Sequence, residues 1–116
     1  MKKILFAESY IDLLIGLRRM FEGYGFETYG ASSAAVARDI FPVVQPDVAV
    51  FANRISSVGI GDRSGLDLAI ELAGETPIII YSADDPPKED LPENVYWVTK
   101  FAGPVVLRKL IEELLA

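Results

Sequence analysis

Five short apolar runs, most of them separated by a stretch of helical spacing, constrain this chain more than any other feature. They are KILFA (Lys3 to Ala7), FETYG (Phe26 to Gly30), VAVF (Val48 to Phe51), PIIIYS (Pro77 to Ser82) and VYWVTK (Val95 to Lys100). Runs of this length are too short for buried helices and are rich in β-branched and aromatic residues, so they read as strands. Between the first two, Leu14, Leu17, Phe21 and Tyr24 recur at helical spacing, and Ser9-x-x-Asp12 has the form of a capping box. GYGF ends that helix, with Gly23 and Gly25 available for a left-handed turn. Ser32 or Ser33 is placed to cap a second helix running through Phe41, after which Pro42 and Pro46 bracket a loop. A glycine- and serine-bearing loop from Arg54 to Gly61 leads to a third helix, with Ser64 as cap and Asp67 three positions on. The last helix begins at Pro104 and carries Leu107, Leu110, Ile111 and Leu114 on one face.

One crossover lacks its helix. ADDPPKEDLPEN, Ala83 to Asn94, holds three prolines and a run of acidic residues, with almost no apolar face to bury. A proline inside a helix costs roughly 3 kcal/mol, so the segment reads as a loop with at most one helical turn.

Strands joined by helical crossovers must run parallel, in a sheet covered on both faces. Right-handed crossovers then predict a three-layer α/β sandwich, doubly wound and flavodoxin-like, with strand order 2-1-3-4-5. At 116 residues it is read as one domain, 1–116. Sites in such folds lie at the carboxyl ends of the strands. The residues there are Glu8 and Ser9 after the first strand, Ala52 and Asn53 after the third, Ser82 and Ala83 after the fourth, and Lys100 after the fifth.

Composition removes several classes of function. There is no histidine and no cysteine, hence no imidazole or thiolate ligand, no thiol nucleophile and no imidazole base. No phosphate-cradling glycine motif follows the first strand. The net charge is −6 and basic residues never cluster beyond adjacent pairs, which argues against direct binding to nucleic acid or anionic lipid. No apolar run approaches the roughly 20 residues of a membrane span, and the N-terminal apolar stretch is too short for a signal peptide. The expectation is a cytoplasmic protein that is not an enzyme.

Five pieces in order and spacing carry a resemblance: KILFAES, QPDVAVFAN, SGLDLAIEL, PIIIYSA and WVTKF. Together they resemble the receiver domain of bacterial two-component response regulators, of the chemotaxis-regulator-like kind, across nearly the whole chain. The resemblance implies a pair of acidic residues after strand one that hold Mg²⁺ and an aspartate ending strand three that accepts a phosphoryl group. It also implies a Ser or Thr and a lysine that contact the phosphoryl oxygens. Position by position, Glu8 keeps the first acidic place and Ser9 loses the second. Ala52 falls on the phosphoacceptor, while Ser82 and Lys100 match the hydroxyl and the lysine. Trp97 matches the aromatic position that reports activation, and Phe101 stands where a proline is usual.

An alanine has no nucleophile, Asn53 offers only a neutral amide if the register slips by one, and one carboxylate anchors Mg²⁺ poorly. The expected protein is therefore a pseudo-receiver, a phosphorylation-independent protein-interaction module in signalling, with neither metal nor cofactor. In it Lys100 is expected to pair with Glu8, Ser82 to bond backbone at the strand end, and Ser9 to cap a helix. Tyr96 and Trp97 point in alternating directions, so one belongs to the core. The other, with Phe101, would face the missing helix as a candidate interaction surface, unless the acidic loop folds over it. Two alternatives stay open: a receiver phosphorylated at Asp62 or Glu8, and a small-ligand-binding domain that uses the altered cleft.

Overall fold

The computed structural model describes residues 1–55 and 61–116; the expected loop from Arg54 to Gly61 therefore lies largely outside the described residues. In chain order the elements are β1 (Lys3–Ala7), α1 (Ile11–Gly23), β2 (Glu27–Ala31), α2 (Ala34–Val44), β3 (Val48–Phe51), α3 (Ser64–Leu72), β4 (Ile78–Ser82), β5 (Val95–Thr99) and α4 (Pro104–Leu114). A single 3₁₀ turn, Lys100–Ala102, joins β5 to α4.

All strand pairs are parallel and the sheet order is β2-β1-β3-β4-β5. This is the expected doubly wound arrangement. Alternation along each strand divides the core in two. Leu5, Ala7, Ala49, Phe51, Ile78 and Ile80 face one side with Ala37 of α2 and Leu66, Leu68 and Ala69 of α3. Ile4, Phe6, Val48, Val50, Ile79 and Tyr81 face the other, against Leu14, Leu17 and Phe21 of α1 and Leu107 and Ile111 of α4. Because both faces are covered, β3 and β4 are buried along their whole length, which is why they read as unbroken apolar runs. No helix among the described residues is long and apolar enough to cross a membrane.

No helix forms between β4 and β5: residues 83–94 cross as an extended strap. Its Leu91 and the ring of Trp97 pack on the α2–α3 side of the core.

Four local expectations are corrected. The Ser9–Asp12 capping box does not form; Tyr10 is the N-cap of α1, without a side-chain cap. Gly23 stays helical, and Gly25 alone takes the left-handed backbone, at φ 96°. Helix α2, capped as expected by Ser33 (Val36 N–H to Ser33 Oγ, 3.1 Å), runs through Pro42 to Val44 and closes at a left-handed Gln45. Pro42 lies in the last turn, so it forfeits one bond, to the Arg38 carbonyl, while the extra turn buries Val44. Ser64 is the first residue of α3 rather than its cap. Its N–H donates to Asp62 Oδ1 at 2.8 Å, and its hydroxyl accepts the Ile55 N–H at 3.1 Å.

Candidate functional site

The strand ends enclose a cavity of about 340 Å³, lined by Glu8, Ser9, Ala52, Asn53, Ser82 and Lys100 together with Tyr10, Leu13, Arg54, Ala83 and Asp84. Parallel pairing explains the convergence. The Glu8 N–H donates to the Ala31 carbonyl and the Ala52 N–H to the Ala7 carbonyl, so residues just past β1 and β3 are still held by the ladder. Glu8, Ala52, Asn53 and Ser82 are all buried.

Two polar systems share the cavity. In the first, Lys100 Nζ donates to Glu8 Oε1 at 3.2 Å, the pair expected from the sequence. In the second, Asp84 is the centre. Its carboxylate accepts from Asn53 Nδ2 at 3.1 Å, from Arg54 Nε at 3.0 Å and from Ser82 Oγ at 3.3 Å. A second guanidinium nitrogen of Arg54 closes a two-pronged contact on Oδ1. Ser82 Oγ in turn accepts the Asp84 N–H at 3.0 Å, and the Asp84 carbonyl accepts the Trp97 indole N–H at 3.1 Å. The Arg54 guanidinium holds the Asp84 carboxyl below its ordinary pKa, with Asn53 and Ser82 adding to the effect against partial burial. The Arg54 pKa is raised by the same contact.

Asp84 and Arg54 are not among the residues the sequence points to. Asp84 is one of several acidic residues in the loop, and only the path of the strap selects it over Asp85. Arg54 could have been suspected as the one basic residue within three positions of the end of β3.

A further contact shapes the floor. The Gly65 N–H donates to the Asn53 carbonyl at 2.8 Å, and a Cβ at Gly65 would lie 1.6 Å from the Ala52 carbonyl oxygen. Only glycine lets the first turn of α3 press on the strand end this closely.

Asp62 lines a neighbouring cavity of about 240 Å³, shared with Arg63, Asp85 and Trp97, and not the one holding Glu8 and Lys100. Tyr96 and Trp97 are both half-buried, Tyr96 on the α1–α4 side and Trp97 beneath the strap. The expected split into one core and one exposed ring is therefore corrected, because the strap covers the indole. Phe101, by contrast, is 87% exposed.

The donor set does not fit Mg²⁺. Octahedral magnesium needs free carboxylate oxygens in the cleft. One Glu8 oxygen is committed to Lys100, and both Asp84 oxygens face Arg54, Asn53 or Ser82. Among the described residues no group of three or more acidic side chains is placed to hold a metal ion.

Comparison with protein-family models and with curated proteins finds no match. Solved structures do match. The response regulator TrrA from Thermotoga maritima, in complex with Mg²⁺ and beryllofluoride, superposes with a TM-score of 0.82 at 24% identity, over 98% of this chain and 99% of that one. The receiver domain of Francisella response regulator 1452 gives 0.78 at 21% identity, covering 98% and 96%. The receiver domain of the hybrid histidine kinase CckA gives 0.74 at 19%, covering 98% and 99%. The architecture is the receiver fold.

Proposed function

We propose that this chain is a pseudo-receiver: a cytoplasmic protein-interaction module of two-component-type signalling whose output does not depend on phosphorylation. The observation that carries the reading is Ala52. It occupies the strand end where a carboxylate would have to attack phosphorus, and it is buried among backbone groups with no nucleophile of its own. The engaged oxygens of Glu8 and Asp84 support it, since phosphoryl transfer to a carboxylate requires a metal ion to neutralise donor and acceptor. A protein partner is favoured by the apolar side chains left in water beyond β5, Phe101 and Val105, which are 87% and 62% exposed.

The test is incubation of the purified chain with Mg²⁺ and acetyl phosphate, followed by intact-mass spectrometry, with amide NMR during a beryllofluoride titration alongside. The expected result is no phosphoryl adduct and no saturable shift at Glu8, Ala52, Ser82 or Lys100. An adduct mapped to Glu8 or Asp62 would overturn the reading.

A further inference from the structure

The strap formed by residues 83–94 has no helix, and of its apolar side chains only Leu91 and Pro87 are partly buried. Such a segment loses backbone entropy on ordering and gains little from burial in return. At its far end the Asn94 carbonyl accepts the Ile78 N–H at 2.9 Å. Its side-chain tethers away from Asp84 are exposed: the ion pair of Glu89 with Arg63 at 2.7 Å, and the Asn94 amide on the Gly74 carbonyl at 2.7 Å. Exposed pairs of this kind contribute little.

Asp84 is different. Through its side chain it is tied to Asn53 and Arg54 beyond β3 and to Ser82 at the end of β4; through its carbonyl it is tied to Trp97 in β5. One residue thus joins the ends of β3 and β4 to the middle of β5. The contacts to Arg54 are charge-assisted and two-pronged, the strongest class of side-chain hydrogen bond. The Asn53 amide shows how strongly the carboxylate orders its surroundings. With Nδ2 turned to Asp84, Asn53 Oδ1 is left buried without a hydrogen-bond partner. That orphaned acceptor is a cost the opposite amide orientation would replace with oxygen facing carboxylate.

We propose that Asp84 and Arg54 form a latch that holds the strap closed over Trp97, so that the β5 face is covered at rest and uncovered when the pair separates. The proposal rests on the pseudo-receiver reading in one respect: it makes the covered β5 face the surface whose exposure is controlled. The latch replaces the missing crossover helix as the element that decides how much of that face meets solvent.

Trp97 is the chain's single tryptophan, so its emission reports the latch directly. Asp84→Asn keeps the shape and removes the charge; Arg54→Gln removes the partner from outside the strap. Each variant is expected to red-shift Trp97 emission and increase its quenching by acrylamide. Amide exchange across 83–94 should rise about tenfold or more, as loss of charge-assisted bonds implies, while the β4 amides keep their protection. The effects of the two single variants should not add in the double variant, because both remove the Asp84–Arg54 contact. Unchanged emission, quenching and strap exchange in folded Asp84→Asn would overturn the latch. Should both variants unfold, acrylamide quenching of the unmodified chain across a NaCl titration decides: screening opens a charge latch, and flat quenching overturns it. A phosphoryl adduct on the unmodified chain would remove the pseudo-receiver reading and leave these readouts as they are. Silent Trp97 readouts would remove the latch and leave that reading standing.

Discussion

Lys100 Nζ lies 3.2 Å from Glu8 Oε1, a pair that closes the sheet's carboxyl edge across ninety-two positions of sequence. The two partners are unequally buried: the Glu8 side chain is 8% exposed and that of Lys100 31%. A lysine stem can carry its ammonium to water when its partner is lost, whereas a buried carboxylate cannot follow.

The pair should therefore be asymmetric to mutation. Lys100→Met, which strands Glu8 without a counter-charge, is expected to cost about 2–3 kcal/mol, and Glu8→Gln about 1 kcal/mol, by urea denaturation. Equal costs would show that Lys100 is as confined as Glu8.

Restoring a carboxylate at Ala52 tests the metal argument from the other side. Ala52→Asp places a second acidic group in a buried strand end beside Glu8, and should lower stability by about 1–3 kcal/mol in the absence of divalent ions. Mg²⁺ that binds only the folded variant should raise its melting temperature with concentration. The same titration should leave the parent chain unmoved.

Gly65 is expected to be the least replaceable residue of the site. In Gly65→Ala the new methyl would meet the Ala52 carbonyl, and backbone on both sides has to move. A loss of roughly 2–3 kcal/mol in chemical denaturation is expected, the upper range for overpacking. Chemical-shift changes should centre on Ala52, Asn53 and Leu66. Gly16, where an added Cβ has nothing within 4 Å, provides the control: Gly16→Ala should stabilise the helix by up to about 1 kcal/mol.

The Asp84 network should make the protein acid-sensitive. With its pKa held below the ordinary 3.8 by Arg54, and then by Asn53 and Ser82, Asp84 contributes stability that is fully present above the unfolded value. That contribution is lost as pH falls through the folded one. The groups that face it are Arg54 from beyond β3, and Glu8 and Lys100 across the cavity; Asp62 also acts on Arg54. Glu71 and Glu89, lowered by Arg38 and Arg63, slope the same way, but they are exposed and salt should remove their share. Urea titrations from neutral into acid pH at low salt should therefore show a slope in the parent chain. Asp84→Asn should reduce it.

The strands, the parallel sheet and the absence of a helix between β4 and β5 were legible in the residues, because burial on two covered faces leaves a local imprint. A strand hidden on both sides must be apolar at every position, and a proline-rich acidic segment cannot offer a helical stripe. The same logic placed Glu8, Ala52, Asn53, Ser82 and Lys100 together, since strand order decides which ends are neighbours. Caps were less legible. Ser9 and Ser64 have the chemistry of caps, yet Tyr10 and Arg63 take the cap positions. Pro42 reads as a stop, but burial of Val44 two residues on accompanies the helix through it.

Left to tertiary structure were the contacts that no period records. Asp84 differs from Asp85 only by where the strap leaves β4, and Gly65 differs from other glycines only by the backbone opposite it. Trp97 is covered because a loop crosses it, not because its strand demands it. Local sequence determines which face of an element is apolar. Which polar atoms then meet across a cleft depends on distances between elements far apart in the chain, and those exist only once it has folded.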